Sequence, residues 1–263
     1  MSVADNQSVG SGPVDRRRKV PLRTKLLFSS GALQEATVTA GGIVTILFYN
    51  QVLGVPAALA GTAYLIVSIL DAVSDPIIGT VSDRFQSRWG RRHPFMFASA
   101  LPIAVGFFCL YQPPDSLGET GLFVWLVTFF ALVRLGQTLY LIPHDALGAE
   151  LTDDYEERTK IFGFNNVAEM VLSMIVSALL FVVIFPTPEG AENGLLNEAR
   201  YIILATAGSV TILFSVLLCS FGTLDQLPHL QKVEIGKKFV LRGYFREIGT
   251  LLRNPSYLAA CLS

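Results

Sequence analysis

The chain has 263 residues, 51% of them hydrophobic and only 16% charged, with a mean hydropathy of +0.50. Soluble domains carry nearer 25% charged residues, by common composition, and here the charges sit in short clusters between long apolar runs. That pattern excludes a soluble enzyme, leaves no expectation of a nucleic-acid partner, and points to an all-α integral membrane protein.

The first residues are polar and end in Arg16-Arg17-Arg18-Lys19. The apolar run that follows is far too long for a signal peptide, so 1–21 reads as a cytoplasmic tail. Six spans are expected at 22–50, 57–82, 94–112, 121–149, 161–185 and 200–222, each near the ~20 residues that cross a bilayer. A charged segment over 223–252 comes next. Its Phe245, Ile248, Leu251 and Leu252 recur at helical spacing among Arg242, Arg246 and Glu247, which predicts an amphipathic helix on the membrane surface. Residues 253–263 then begin a seventh span. Cys109, Cys219 and Cys261 lie in apolar runs without metal-ligand spacing and read as small core hydrophobes.

Orientation follows from the basic residues. Of the 20 lysines and arginines, all but Arg134 and Arg200 fall in segments that share a side with the N-terminus. The opposite loops carry Asp115, Glu119, Glu189, Glu192 and Glu198. The positive-inside rule therefore puts the N-terminus in the cytoplasm, in a plasma (inner) membrane. Arg134 stands near the middle of span four, with Glu35, Asp71, Asp75 and Glu169 at comparable depth in spans one, two and five. Each such charge costs on the order of 3 kcal/mol at a helix centre. Spans three and six hold no charge in their interiors, so spans one, two, four and five are expected to line a polar interior.

Two motifs carry chemistry. Asp71-Ala-Val-Ser-Asp75-Pro76 puts two carboxylates on one helix face, with β-carbons roughly 6 Å apart. In a poor dielectric such a pair needs a cation or a proton between its members. Pro76 has no N–H, so the carbonyl of Ala72 is free to join them. The set suits sodium or a shared proton, and the alternative is an internal ion pair in which Arg134 merely holds the bundle. The second motif is Gly79-Thr-Val-Ser-Asp83-Arg84, continued by Arg88-Trp89-Gly90-Arg91-Arg92-His93-Pro94. Gly79 would let the helix end approach a neighbour, and the arginines can grip a carboxylate or helix C-terminal carbonyls. On charge alone this loop is also explained as a positive-inside anchor.

The Gly79-x-x-x-Asp83-Arg84 element with Gly90-Arg91-Arg92 resembles the loop signature of the major facilitator superfamily. The expanded loop, the Asp71/Asp75/Pro76 motif and the stretch Ile142-Pro143-His144-Asp145-Ala146-Leu147-Gly148-Ala149-Glu150-Leu151-Thr152 are together similar to the glycoside–pentoside–hexuronide:cation symporters. The resemblance spans about residues 22–258. It implies the N-terminal six-helix bundle of a twelve-helix fold, built as two inverted three-helix repeats. It also implies a missing C-terminal half, so the chain reads as a fragment ending a few residues into span seven. By the same resemblance Asp71, Asp75 and Thr138 bind the cation. They are the metal ligands if that cation is sodium, and Gly79, Asp83, Arg84, Arg88, Gly90, Arg91 and Arg92 form a cytoplasmic gating loop. The family's sugar-binding positions fall on Ala36, Leu141, Asp145 and Asn166, a different set. Glu35, Arg134, Gln137 and Asn166 are therefore expected to face the substrate. The implied function is symport of a sugar or glycoside with sodium or a proton by alternating access, with no cofactor beyond the coupling ion. The partners are that solute, the lipid bilayer and the other half. Alternatives are a carrier of lipid or another small molecule on the same fold and a non-transporting sensor or partner subunit. An enzyme built on His144-Asp145 lacks any nucleophile motif or metal spacing.

Overall fold

In a computed structural model, residues 19–85, 87–187 and 193–230 are described. The tail before Lys19, the expected amphipathic helix around 242–252 and the start of a seventh span lie outside them. Those residues form α1 (Leu22–Ser29), α2 (Ala32–Leu47), α3 (Ala57–Arg84), α4 (His93–Leu110), α5 (Glu119–Glu150), α6 (Tyr155–Leu179) and α7 (Tyr201–Gly222). No strand occurs among the described residues. Taken with their short π and 3₁₀ extensions, they make 6 segments long and apolar enough to cross a membrane. The protein is an all-α integral membrane protein, as the sequence predicts.

Among the described residues, span one is the crossing split into two α-helices, α1 and α2. The Ser30 hydroxyl donates to the Leu27 carbonyl at 2.6 Å, and such back-bonding competes with the helical ladder and bends it. The chain turns at Ser30–Gly31 and resumes as α2. Span five starts at Tyr155, earlier than the hydropathy boundary at 161. Asp154 caps it by accepting from the Glu157 N–H, and Glu156 and Glu157 occupy the first turn. Acidic residues suit a helix N-terminus, so a charged stretch that looks like loop is helical.

The bundle packs α4 against α5 and α7, α3 against α5, and α2 against α6 and α7. Where α4 crosses α5, a Cβ on Gly136 would fall 2.6 Å from Ile103 Cγ1, and one on Gly106 would fall 2.9 Å from Val133 Cγ2. Only glycine at both positions allows this close a helix crossing, the small-residue solution that membrane bundles favour. One end of the bundle is closed by aromatic side chains. Phe48 stacks on Tyr201 at 4.0 Å, Tyr111 shares a 2.7 Å hydrogen bond with Thr45, and Tyr49 donates to the Leu110 carbonyl at 2.8 Å. Tyr49 and Tyr111 thereby keep a polar partner for their buried phenols. Exposed apolar rows run along α3 (Leu65, Ile69, Val73) and α6 (Val167, Met170, Met174). Their spacing of three and four residues keeps each row on one helix face.

Candidate cation and substrate site

Asp71 and Asp75 are one turn apart on α3 and face α5, where Arg134 and Thr138 are also one turn apart. The two ladders engage rung to rung. Arg134 reaches Asp71 Oδ2 with both Nε and Nη2, each at 2.7 Å. One turn on, the Thr138 hydroxyl donates to Asp75 Oδ1 at 2.9 Å and lies 3.1 Å from the Arg134 carbonyl. The pairing is unequal. Asp71 has a full counter-charge on one oxygen, while its Oδ1 is buried with no hydrogen-bond partner among the described residues. Asp75 has a hydroxyl but, among the described residues, no cation, and the residue is exposed. Pro76 stands inside α3 and cannot bond the Ala72 carbonyl. Two carboxylates, a hydroxyl and a freed carbonyl thus lie within two helical turns.

A separate cavity of about 210 Å³ opens between α2, α5 and α6, lined among others by Glu35, His144, Asp145, Asn165, Asn166 and Glu169. The expected substrate quartet divides here. Glu35 and Asn166 line the cavity. Arg134 and Gln137 instead stand at the cation ladder, where Arg134 Nη1 donates to Gln137 Oε1 at 3.3 Å. Sequence reasoning did not select His144, Asn165 or Glu169. His144 is stacked on Phe28 at 4.0 Å, and its Nε2 lies 3.1 Å from the Phe28 carbonyl. Glu169 was legible as an acid at membrane depth, and Asp145 only as a position matching the family's sugar site and as the partner of His144. Only the packing of α6 on α2 puts Glu169 and Glu35 around one space.

At the C-terminal end of α5, the loop between α3 and α4 closes on Glu150. Arg91 Nη2 lies 2.7 Å from Glu150 Oε1, and Arg92 Nη2 lies 3.0 Å from the same oxygen. Arg92 also reaches Asp83 Oδ1 at 2.5 Å and donates to the Ser82 hydroxyl at 3.0 Å. Glu150 is the hub, and it was not among the residues expected in the gating loop. Arg88 stands apart, with its guanidinium 5.2 Å from the Trp89 ring. Lys25 to Glu157, at 2.6 Å, ties span one to span five in the same fashion. The two glycines of the loop differ in what they do. A Cβ on Gly79 would meet nothing nearer than Ile142 at 3.6 Å, so close helix approach does not require this glycine. Gly90 has φ of 75°, and a Cβ there would fall 2.7 Å from Leu227 Cδ2. We expect Gly90→Ala to cost about 1–2 kcal/mol from the left-handed conformation alone, read as a lowered melting temperature in detergent, whereas Gly79→Ala leaves it within error.

The family model described as MFS/sugar transport protein matches residues 27–262. The chain belongs to that family. Among relatives, the uncharacterized symporter sll1374 of Synechocystis is 38% identical over 173 residues, covering 63% of this chain and 31% of the relative. The inner membrane symporter YicJ of Escherichia coli is 33% identical over 133 residues, covering 51% of this chain and 29% of the relative. The glucuronide carrier protein homolog of Escherichia coli is 25% identical over 191 residues, covering 72% of this chain and 41% of the relative. The chain thus spans about a third of the length of the curated relatives it matches. The MFS/sugar transport family, read first from the Asp83-Arg84 loop and the Asp71/Asp75 motif, is the one that the whole-length match identifies.

Proposed function

We propose that this chain is the N-terminal six-helix half of a symporter that couples sodium or a proton to movement of a small polar solute, a sugar or glycoside, by alternating access. The observation that carries the proposal is the α3–α5 ladder. Arg134 neutralises Asp71, so the ladder as a whole retains one uncompensated carboxylate, Asp75. One monovalent cation or one proton balances it, with Thr138, the free Asp71 oxygen and the Ala72 carbonyl as the remaining oxygen donors. Occupancy favours whichever conformation draws these donors together, and that differential affinity is what coupling requires. The solute would sit beside Glu35 and Asn166, in the cavity whose walls α2, α5 and α6 provide. Symporters among the relatives support this reading, as does the presence of a sugar carrier class in the family description.

In the proposed organisation, 1–21 is a cytoplasmic tail, 22–222 the transporting bundle, 223–252 a cytoplasmic linker and 253–263 the start of span seven. A second bundle covers the exposed rows on α3 and α6. Reconstitution of the transporter carrying both bundles, with unlabelled solute inside and a panel of radiolabelled sugars outside, tests the function. Counterflow of at least one sugar is expected, and no counterflow of any would contradict it. Orientation has its own test. Single cysteines at Ser116 and Asn193, both exposed, should react with an impermeant maleimide applied outside intact cells. Reaction of both only after the inner face is opened would reverse the topology.

A further inference from the structure

We propose that the cavity between α2, α5 and α6 selects its solute through a protonated amine, so that the substrate class is a hydroxylated amine such as an amino sugar. The inference rests on the proposed transport of a polar solute and narrows it. Three carboxylates line the space, Glu35 from α2, Asp145 from α5 and Glu169 from α6, with no lysine or arginine among the lining residues. His144 is the only lining side chain that can carry positive charge, so the wall stays negative even with its ring protonated. Arg134 is not among the lining residues and is paired with Asp71. Glu35 and Glu169 have no hydrogen bond or ion pair among the described residues.

A second observation is independent of the acids. Asn165 lines the same cavity and is 9% exposed, and its Oδ1 is buried without a hydrogen-bond partner among the described residues. A buried acceptor of that kind requires a donor. Carboxylates and a carbonyl oxygen are all acceptors, and an ammonium offers three donors together with the missing charge. A metal ion fits less well, because among the described residues no three His, Cys, Asp or Glu side chains converge closely enough to hold one. An amine on a hydroxylated solute also brings hydroxyl donors that can reach the acceptors its ammonium does not touch. Phe162 adds a flat apolar side against which a ring or the cation itself can lie.

Binding to the chain in lipid nanodiscs at pH 7 tests this with two matched pairs of radiolabelled probes, glucosamine with glucose and galactosamine with galactose. In at least one pair the amine should bind about tenfold or more tightly than its neutral partner. N-acetylation of that probe should remove the advantage, and this measurement needs no protein variant. Glu35→Gln with Glu169→Gln should also remove the advantage. Equal or weaker binding of the amine in both pairs, or an advantage that survives N-acetylation, would overturn the proposal. Cation-driven uptake of a neutral sugar with no amine preference defeats this inference alone. Absence of any cation-dependent uptake, of amine or neutral sugar, defeats the transport reading beneath it.

Discussion

Replacing Asp75 by Asn in the two-bundle transporter will remove cation stimulation of uptake while solute counterflow persists. Asp75 is the ladder's one carboxylate without a positive partner, held only by the Thr138 hydroxyl at 2.9 Å. Losing that charge weakens apparent cation affinity by about tenfold or more, because hard-cation affinity follows the charge of the ligands. Counterflow needs no net cation movement and so survives. Asp71→Asn has a different signature. It strips Arg134 of its carboxylate, and a half-exposed guanidinium facing an apolar bundle lowers expression and thermal stability as well as coupling. Adding Arg134→Gln should restore the folding but not the coupling. Thr138→Val should lie between wild type and Asp75→Asn in cation affinity. Initial rates, counterflow and size-exclusion profiles on the same preparations separate these cases. Wild-type cation stimulation in monodisperse Asp75→Asn protein contradicts the assignment.

Glu150→Gln is expected to be the most destabilising change at the end of the bundle that carries the α3–α4 loop, at about 3–5 kcal/mol, the usual loss when one partner of a buried ion pair is removed. Glu150 is 9% exposed and Arg92 5% exposed, so neither guanidinium nor carboxylate is rescued by bulk water. Without Glu150, Arg91 and Arg92 repel one another, and Arg92 keeps only Asp83 and Ser82. Arg92→Lys should recover little, because an ammonium cannot reproduce the forked contact to Glu150, Asp83 and Ser82 together. Arg88→Ala on the same loop is the control. Arg88 is exposed, and its removal should shift stability by less than ~0.5 kcal/mol. Thermal unfolding in detergent reads all three. Equal melting temperatures for Glu150→Gln and Arg88→Ala would show that the charge cluster carries no structural weight.

Much of the fold was legible because lipid imposes it. Long apolar runs have to be helices, and the basic residues mark one side, so the six crossings follow from hydropathy and charge. Boundaries set by polar chemistry were less legible. Asp154 and the acidic first turn extend span five into a stretch that hydropathy leaves out, and Ser30 breaks a run that hydropathy treats as continuous. The site was half legible. The spacing of Asp71 and Asp75 placed them on one face, and Arg134 and Thr138 repeat that spacing on span four, which was a usable sign that the two helices meet rung to rung. Which acid Arg134 would choose among Glu35, Asp71, Asp75 and Glu169 depends on the crossing of α3 and α5, and no local pattern encodes it. The same holds for the acidic cavity. Glu35, Asp145 and Glu169 come from three helices, far apart in the chain. Glu150 was passed over because its value lies in two arginines about 58 residues earlier.

Coupling of the solute to a cation gradient is measurable in proteoliposomes. Proteoliposomes containing the two-bundle transporter are given a counterflow-positive radiolabelled sugar under an inward sodium gradient, an inward proton gradient, or neither. Accumulation above the outside concentration is expected under one of the two gradients, with collapse of that accumulation when the gradient is dissipated and simple equilibration in Asp75→Asn. Equilibration at the same level under all three conditions in the wild type would contradict it.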